Sequence, residues 1–325
     1  MREHFIKYLI CPECLKELQL IISEKEGDKI KTGDLKCSSC NLVFPIINFI
    51  PRFVSVENYA TNFGLQWNIH SKTQYDDYSA KDVSKERFFN ETKWPSDLEG
   101  EIILEVGSGS GRFTGHAAST KAMVISMDYS FAVEANYKSN GNKENVFIVQ
   151  GDIYKMPFRR KYFDKLFCIG VLQHTPDPYK SFMSLPQFLK NDGKLVIDIY
   201  KKMLRSLINT KYWVRPFTKD IEPQKLYNGV VKYINLMWPL FKVISKIPKV
   251  GRQINWQILI PDYTKYGLKG EALKEWAILD CYDMLSPQYD YPQSLNTMKK
   301  WFQEAKLKDI DVHYGYNGIE GRGPV

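Results

Sequence analysis

An apolar strand that breaks into alternating glycines, followed by a second strand that ends on an acid, constrains this chain more than any other feature. The first is Ile103-Leu104-Glu105-Val106-Gly107-Ser108-Gly109-Ser110-Gly111-Arg112-Phe113, the second Val124-Ile125-Ser126-Met127-Asp128-Tyr129-Ser130. Asp128 falls 21 positions after Gly107. This is the layout of the first βαβ unit of a nucleotide-binding α/β domain, in which glycines permit close backbone approach to a ligand and the later carboxylate takes a ribose diol. A dinucleotide fingerprint needs a third glycine at position 112, where Arg112 stands; here the glycines alternate at 107, 109 and 111 behind Glu105. A pyrophosphate favours a helix N-terminus free of acids, whereas a ligand with cationic groups welcomes a carboxylate. Glu105 therefore argues against a phosphate site.

Short apolar runs near 102–106, 123–128, 146–149, 163–169 and 194–200 alternate with helical patterns, which predicts a parallel sheet with ligand at the carboxyl ends of its strands. The third run closes on Gln150-Gly151-Asp152-Ile153, and the fourth leads through Gly170 to Leu172-Gln173-His174. In their order, these strings resemble the class I (type 11) S-adenosylmethionine-dependent methyltransferases over roughly residues 60–200. That resemblance implies an enzyme with a Rossmann-like α/β fold built on a seven-stranded sheet. It implies that Glu105, Gly107, Gly109 and Gly111 line the methionine part of S-adenosylmethionine. Asp128 would take the ribose hydroxyls, Tyr129 would flank the adenine, Asp152 would accept from the adenine amino group, Ile153 would pack on the ring, and Gly170 would offer backbone to the cofactor ammonium. His174 is the candidate base, with a structural role in the loop before Pro176 as the alternative reading; Asp198 and Tyr200 are weaker candidates.

Four of the six cysteines form two knuckles, Cys11-Pro-Glu-Cys14 and Cys37-Ser-Ser-Cys40. Paired C-x2-C turns suit a tetrahedral zinc site fed by four thiolates; a disulfide framework is the competing reading. Residues 1–54 resemble the small Trm112-like zinc ribbons, with zinc in a structural role. Residues 55–100 are polar but dense in Trp and Tyr, as expected of a linker with helices that cover the cofactor. The catalytic domain is expected over 101–325, interrupted by a helical insertion at about 201–285. Within it Val230, Val231, Ile234, Met237, Phe241 and Ile244 recur at three- and four-residue steps, predicting an amphipathic helix kinked near Pro239. A helix with Leu295, Met298, Trp301 and Phe302 on one face and a closing hairpin over 310–325 complete the pattern.

Charge separates the parts further. The formal net charge is +8, yet residues 201–252 hold twelve Lys and Arg against Asp220 and Glu222 alone, so the basicity belongs to the insertion. Its apolar face is read as a cap on the site or a homodimer seam, with a membrane-surface contact through 230–250 or an RNA contact as alternatives. The absence of a secretory pattern and of a long apolar run points to a cytoplasmic protein, peripheral to a membrane in one reading. For the acceptor, a small-molecule, glycan or lipid-linked group undergoing O- or N-methylation stands first. RNA is the alternative, although no Asn-Pro-Pro-Tyr-like tetrapeptide follows the fourth strand, where Gly170-Val171-Leu172-Gln173-His174 stands. A non-catalytic cofactor-binding scaffold is the third.

Overall fold

The computed structural model describes residues 1–55, 58–79, 81–202 and 209–325. An antiparallel meander of β1 (Leu18–Glu26), β2 (Lys29–Cys37), β3 (Val43–Ile47) and β4 (Ile50–Pro51) opens the chain. Gly27, at φ 61°, and Asp28 make its first turn, a left-handed backbone position that glycine adopts without strain.

So small a module buries little by itself, and it completes its core on its neighbour. Phe5, Leu9, Ile30, Leu35 and Ile46 lie in one apolar cluster with Phe147, Val149 and Phe163 of the large sheet and Phe158 of the β7–β8 connection. The Phe5 ring stacks on Phe147 with centroids 4.6 Å apart. Backbone joins the two as well: Ile10 N–H donates to the Pro157 carbonyl at 2.9 Å and Phe53 N–H to that of Gln150 at 2.8 Å. Arg52, buried, donates to Gln150 Oε1 at 2.8 Å and pairs with Glu134.

The large sheet contains β5 (Ile102–Val106), β6 (Met123–Asp128), β7 (Val146–Gln150), β8 (Phe163–Ile169), β9 (Leu189–Ile199), β10 (Asp311–Tyr314) and β11 (Ile319–Pro324), in the spatial order β10-β11-β9-β8-β5-β6-β7. Strands β5 to β9 are parallel, and β11 runs antiparallel between β9 and β10. This is the mixed seven-stranded order of a class I methyltransferase sheet. The chain builds outward from β5 to β7, returns, and builds the other way from β8, so the switch point lies between the carboxyl ends of β5 and β8, where α/β sheets place ligands. Helices α4 (Arg112–Ser119), α5 (Ala132–Asn140) and α6 (Pro178–Ser184) fill the crossovers. Ahead of the sheet lie α1 (Thr61–Ile69), α2 (Asp76–Ser79) and α3 (Val83–Thr92).

The insertion between β9 and the closing elements is α7 (Thr210–Thr218), α8 (Pro223–Ile244), α9 (Gly251–Gln257) and α10 (Gly270–Leu285). Glu222 caps α8, its carboxylate accepting from Gln224 and Lys225 N–H at 2.9 and 3.0 Å with Pro223 in the first turn. Leu226, Val230, Ile234, Trp238 and Phe241 are buried against α10 through Leu273, Trp276, Ala277 and Tyr282. The inward line is thus offset from the expected one: Val231, Met237 and Ile244 sit at its margin, only partly buried. Pro239 lies inside α8 on its exposed side and the helix runs on through it. Helix α11 (Leu295–Glu304) follows, capped by Ser294 Oγ accepting from Thr297 N–H at 3.0 Å. Among the described residues no helix is long and apolar enough to cross a membrane.

Because ribbon and sheet share one core, Phe5→Ala should cost about 3–5 kcal/mol and lower the stability of the whole molecule. Denaturant unfolding followed by far-ultraviolet dichroism is expected to show a single transition moved to lower denaturant, with no early phase confined to the ribbon.

Candidate active site

The glycine turn is shaped by its backbone. Gly107, Gly109 and Gly111 all take positive φ, at 84°, 54° and 87°. A Cβ at 107 would lie 2.2 Å from Val171 Cγ2, one at 111 would lie 2.1 Å from Asn136 Oδ1, and one at 109 would touch the Trp67 indole at 3.2 Å. The loop after β8 and helix α1 therefore both close onto this turn. Beneath it, Glu105 is fully buried. Its Oε2 accepts from Thr114 Oγ1 and Ser126 Oγ, while Oε1 has no partner, and neither has the buried Ser108 Oγ. Burial pushes the Glu105 carboxyl up to about 7, against the pull of its two hydroxyl donors. An orphaned carboxylate oxygen and an orphaned hydroxyl beside a glycine cradle are the donor set that a ligand with an ammonium group would satisfy.

Asp128 ends β6 and braces the turn: Oδ2 accepts from Gly109 N–H at 2.8 Å, Oδ1 from Ser130 N–H at 2.8 Å and Oγ at 2.7 Å. Tyr129 stacks on Tyr59 with centroids 4.7 Å apart. Asp152 accepts from Tyr154 N–H at 2.9 Å, and Ile153 is buried in the main core. The structure thus gathers Glu105, the three glycines, Asp128 and Tyr129 at one end of the sheet, with Asp152 at the end of the adjoining strand.

Gly170, at φ 76°, ends β8 and donates its N–H to Asp198 Oδ1. Asp198 is fully buried and also pairs with Arg87 of α3 at 2.6 Å; Arg87 in turn reaches Glu91 at 2.6 Å. Burial first, then the charge of Asp198, pushes Glu91 up to about 8, so one guanidinium is balanced mainly by one carboxylate. Committed to Arg87 and Gly170, Asp198 is a brace and not a free base. Tyr200 is committed too, its hydroxyl donating to Asp283 Oδ2 at 3.3 Å.

His174 is buried, with the rings of Phe63 and Tyr200 at 5.1 and 5.4 Å. Its Nδ1 lies 3.0 Å from the Tyr289 carbonyl oxygen. A carbonyl only accepts, so Nδ1 carries the proton and Nε2 is the basic nitrogen. Burial lowers the imidazole pKa below its ordinary value, partly offset by Asp283 and Asp290. Next to it, both amide atoms of the fully buried Gln173 lack a partner.

Several neighbours had no signal of their own in the sequence. Tyr59 and Trp67 come from the aromatic-rich stretch before the sheet, whose need for a surface was the only hint. Asn58 donates to the Tyr129 carbonyl at 3.2 Å, Tyr75 to that of Ser110 at 2.8 Å, and Gln66 to Asp283 at 3.2 Å, so this segment ties the glycine turn to α10. Asp280 and Asp283 sit on α10, whose faces are buried nearly all round and carry no readable period. Burial and then Asp283 push Asp280 up to about 8.

In the N-terminal module, the four knuckle sulfurs lie within 4.8 Å of one another. Cys11 and Cys40 are 3.6 Å apart, Cys14 and Cys37 3.3 Å, Cys14 and Cys40 3.7 Å. A disulfide would bring sulfurs to about 2 Å, whereas tetrahedral thiolates at about 2.3 Å from zinc stand about 3.8 Å apart. The Ser39 and Cys40 N–H groups both point at Cys37 Sγ. The set fits zinc by number, chemistry and spacing.

Purified under reducing conditions, the protein should carry about one zinc per chain by elemental analysis, and Cys14→Ser should lose it. Arg87→Met, which strands the buried Asp198 carboxylate, should cost about 3–5 kcal/mol in denaturant unfolding, more than Lys300→Met at an exposed ion pair.

A family model described as a methyltransferase domain matches residues 104–197. A tRNA U34 carboxymethyltransferase from Sulfurovum sp. (strain NBC37-1) is 29% identical over 110 residues, 32% of this chain and 36% of that protein, so the chain spans about a third of that relative's length. Among solved structures, a complex between the Haloferax volcanii Trm112 methyltransferase activator and a putative methyltransferase aligns with TM-score 0.45 and 12% identity over 81% of this chain and 96% of that one. A putative S-adenosylmethionine-dependent methyltransferase from Methanococcus maripaludis gives 0.44 and 13% over 83% and 95%. At these scores neither carries a conclusion about this chain. The family match does: it begins inside β5, one residue before Glu105, ends inside β9, and identifies residues 104–197 as similar to a methyltransferase domain.

Proposed function

We propose that the chain methylates a small-molecule, glycan or lipid-linked acceptor at oxygen or nitrogen, with S-adenosylmethionine as donor and His174 as the base. The observation that carries this reading is the fixed tautomer of His174: Nδ1–H is held by the Tyr289 carbonyl, which leaves a neutral Nε2 at the carboxyl end of the sheet. Glu105, Ser108 and the glycines 107, 109 and 111 would hold the amino-acid portion of the cofactor. Asp128, Tyr129, Asp152 and Ile153 would hold its nucleoside, and Gly170 would close the site from β8. S-adenosylmethionine, when bound, supplies a methyl carbon already activated by its sulfonium. The chain's own residues then have to orient the acceptor, exclude water and take the acceptor's proton at Nε2. Trp67 and Phe63 on α1 and the loop from Gly170 to His174 do the excluding.

In this reading, residues 1–54 form a structural zinc ribbon, 55–100 the cover, and 101–325 the catalytic domain with its insertion. An RNA acceptor is the second reading, favoured by the tRNA-modifying relative and the basic insertion. Against it, the Asp283 carboxylate acts on His174 at the same site and would repel phosphate. A panel of hydroxyl and amine acceptors set beside bulk tRNA, each assayed with labelled cofactor, separates the two. Cofactor binding with no turnover on any of them would instead leave a scaffold.

His174→Ala should lower turnover by two orders of magnitude or more with cofactor affinity unchanged by calorimetry. Since burial depresses its pKa, the base is unprotonated at neutral pH, and kcat should fall only as pH drops through a value below the ordinary histidine range. Cofactor affinity should weaken earlier, as pH falls below about 7: there Glu105 is protonated and must lose its proton to face a cation. Proton release on binding, measured in buffers of different ionisation enthalpy, checks this; in Glu105→Gln it should vanish.

A further inference from the structure

We propose that the outer face of α8 and α9 docks the protein on an anionic lipid surface. This does not rest on the methyl-transfer reading. The apolar line expected from periodicity is consumed by packing against α10, yet α8 carries a second one. Leu236, Leu240 and Val243 are exposed, Leu236 by 79% and Val243 by 64%, and Ile247, Val250 and Ile254, which follow the helix in sequence, are exposed apolar residues too. With 3.6 residues per turn, Leu236, Leu240 and Val243 fall within about 60° of one another and about 130° from the centre of the buried line. They form a separate stripe of bulky side chains in water, larger than the scattered apolar residues of an ordinary surface. Lys232 and Lys242 are exposed on the arc of α8 that neither line occupies, Lys232 next to the stripe, and the exposed Lys246, Lys249 and Arg252 follow in the turn after α8 and in α9. No acidic residue occurs from Pro223 to Gln257.

Charge decides the occupant. A second copy seated on this face would bring two wholly basic surfaces together without a counter-charge. An RNA would satisfy the lysines but leave the aliphatic stripe with nothing to bury it. An apolar stripe flanked by lysines matches a helix lying in the plane of a bilayer, side chains sunk to the acyl boundary and ammonium groups at anionic headgroups.

The test is sedimentation of the full chain with vesicles of phosphatidylcholine alone and of phosphatidylcholine with phosphatidylglycerol. Binding is expected to the mixed vesicles only and to weaken with salt. Replacing Leu236 and Val243 together by Glu should abolish it. The combined Lys232→Gln, Lys242→Gln and Lys246→Gln change should lower partitioning on the order of a hundredfold. All five side chains are exposed, so both variants should melt with the wild type; should the Glu pair fail to fold, the lysine variant alone still decides. No binding to anionic vesicles, or binding that neither variant weakens, overturns the proposal. So does a salt-insensitive dimer in light scattering that the Glu pair dissolves, or a retained tRNA complex that the lysine variant releases while vesicles are ignored.

Discussion

One buried cation orders the catalytic end of this molecule. Arg87 rises from helix α3 into a buried site and meets Asp198 at the end of β9; Asp198 in turn grips the Gly170 N–H at the end of β8. Cover, fifth parallel strand and the loop that carries His174 are thereby joined by two charge-assisted hydrogen bonds. A guanidinium suits this position because its fork reaches Glu91 and Asp198 at once and stays charged when desolvated. Remove the charge and two acids lose their reason to be buried. The direction of the Gly170–His174 loop, and hence of the imidazole, follows from that brace.

How far this was legible in the sequence depends on the range of the interaction. The strand–glycine–acid layout is local: positive φ at 107, 109 and 111 demands glycine wherever the turn occurs, so the turn and the acids beside it can be read in one dimension. Strand positions follow from short apolar runs, and the first knuckle pair from cysteine spacing. The Arg87–Asp198 brace joins residues 111 positions apart and leaves no periodic trace. Asp198 accordingly looks like a candidate base until its partner is seen. The same holds for Tyr59, which meets Tyr129 only because α1 folds back over the sheet.

Helix α8 shows the converse limit. Periodicity identifies an amphipathic helix but returns one apolar line where two exist, since Leu236, Leu240 and Val243 fall among the polar positions of the first. Only packing against α10 decides which line is interior. The ribbon teaches something similar. Its cysteine spacing is local and readable, but its core is completed by Phe147 and Phe158, so its stability cannot be assigned to residues 1–54 alone.

The placement of β11 bears on how the molecule is assembled. It enters the sheet between β9 and β10, pairing Ile319 with Ile199, so all of the insertion lies between two neighbouring strands. Until that helical excursion has condensed, β9 offers an unpaired edge whose Leu195, Ile197 and Ile199 are destined for the interior. Closing so long a loop is slow compared with forming the parallel strands before it. The interval during which another chain can be captured at that edge therefore lasts until the chain beyond the insertion brings β11 back to β9.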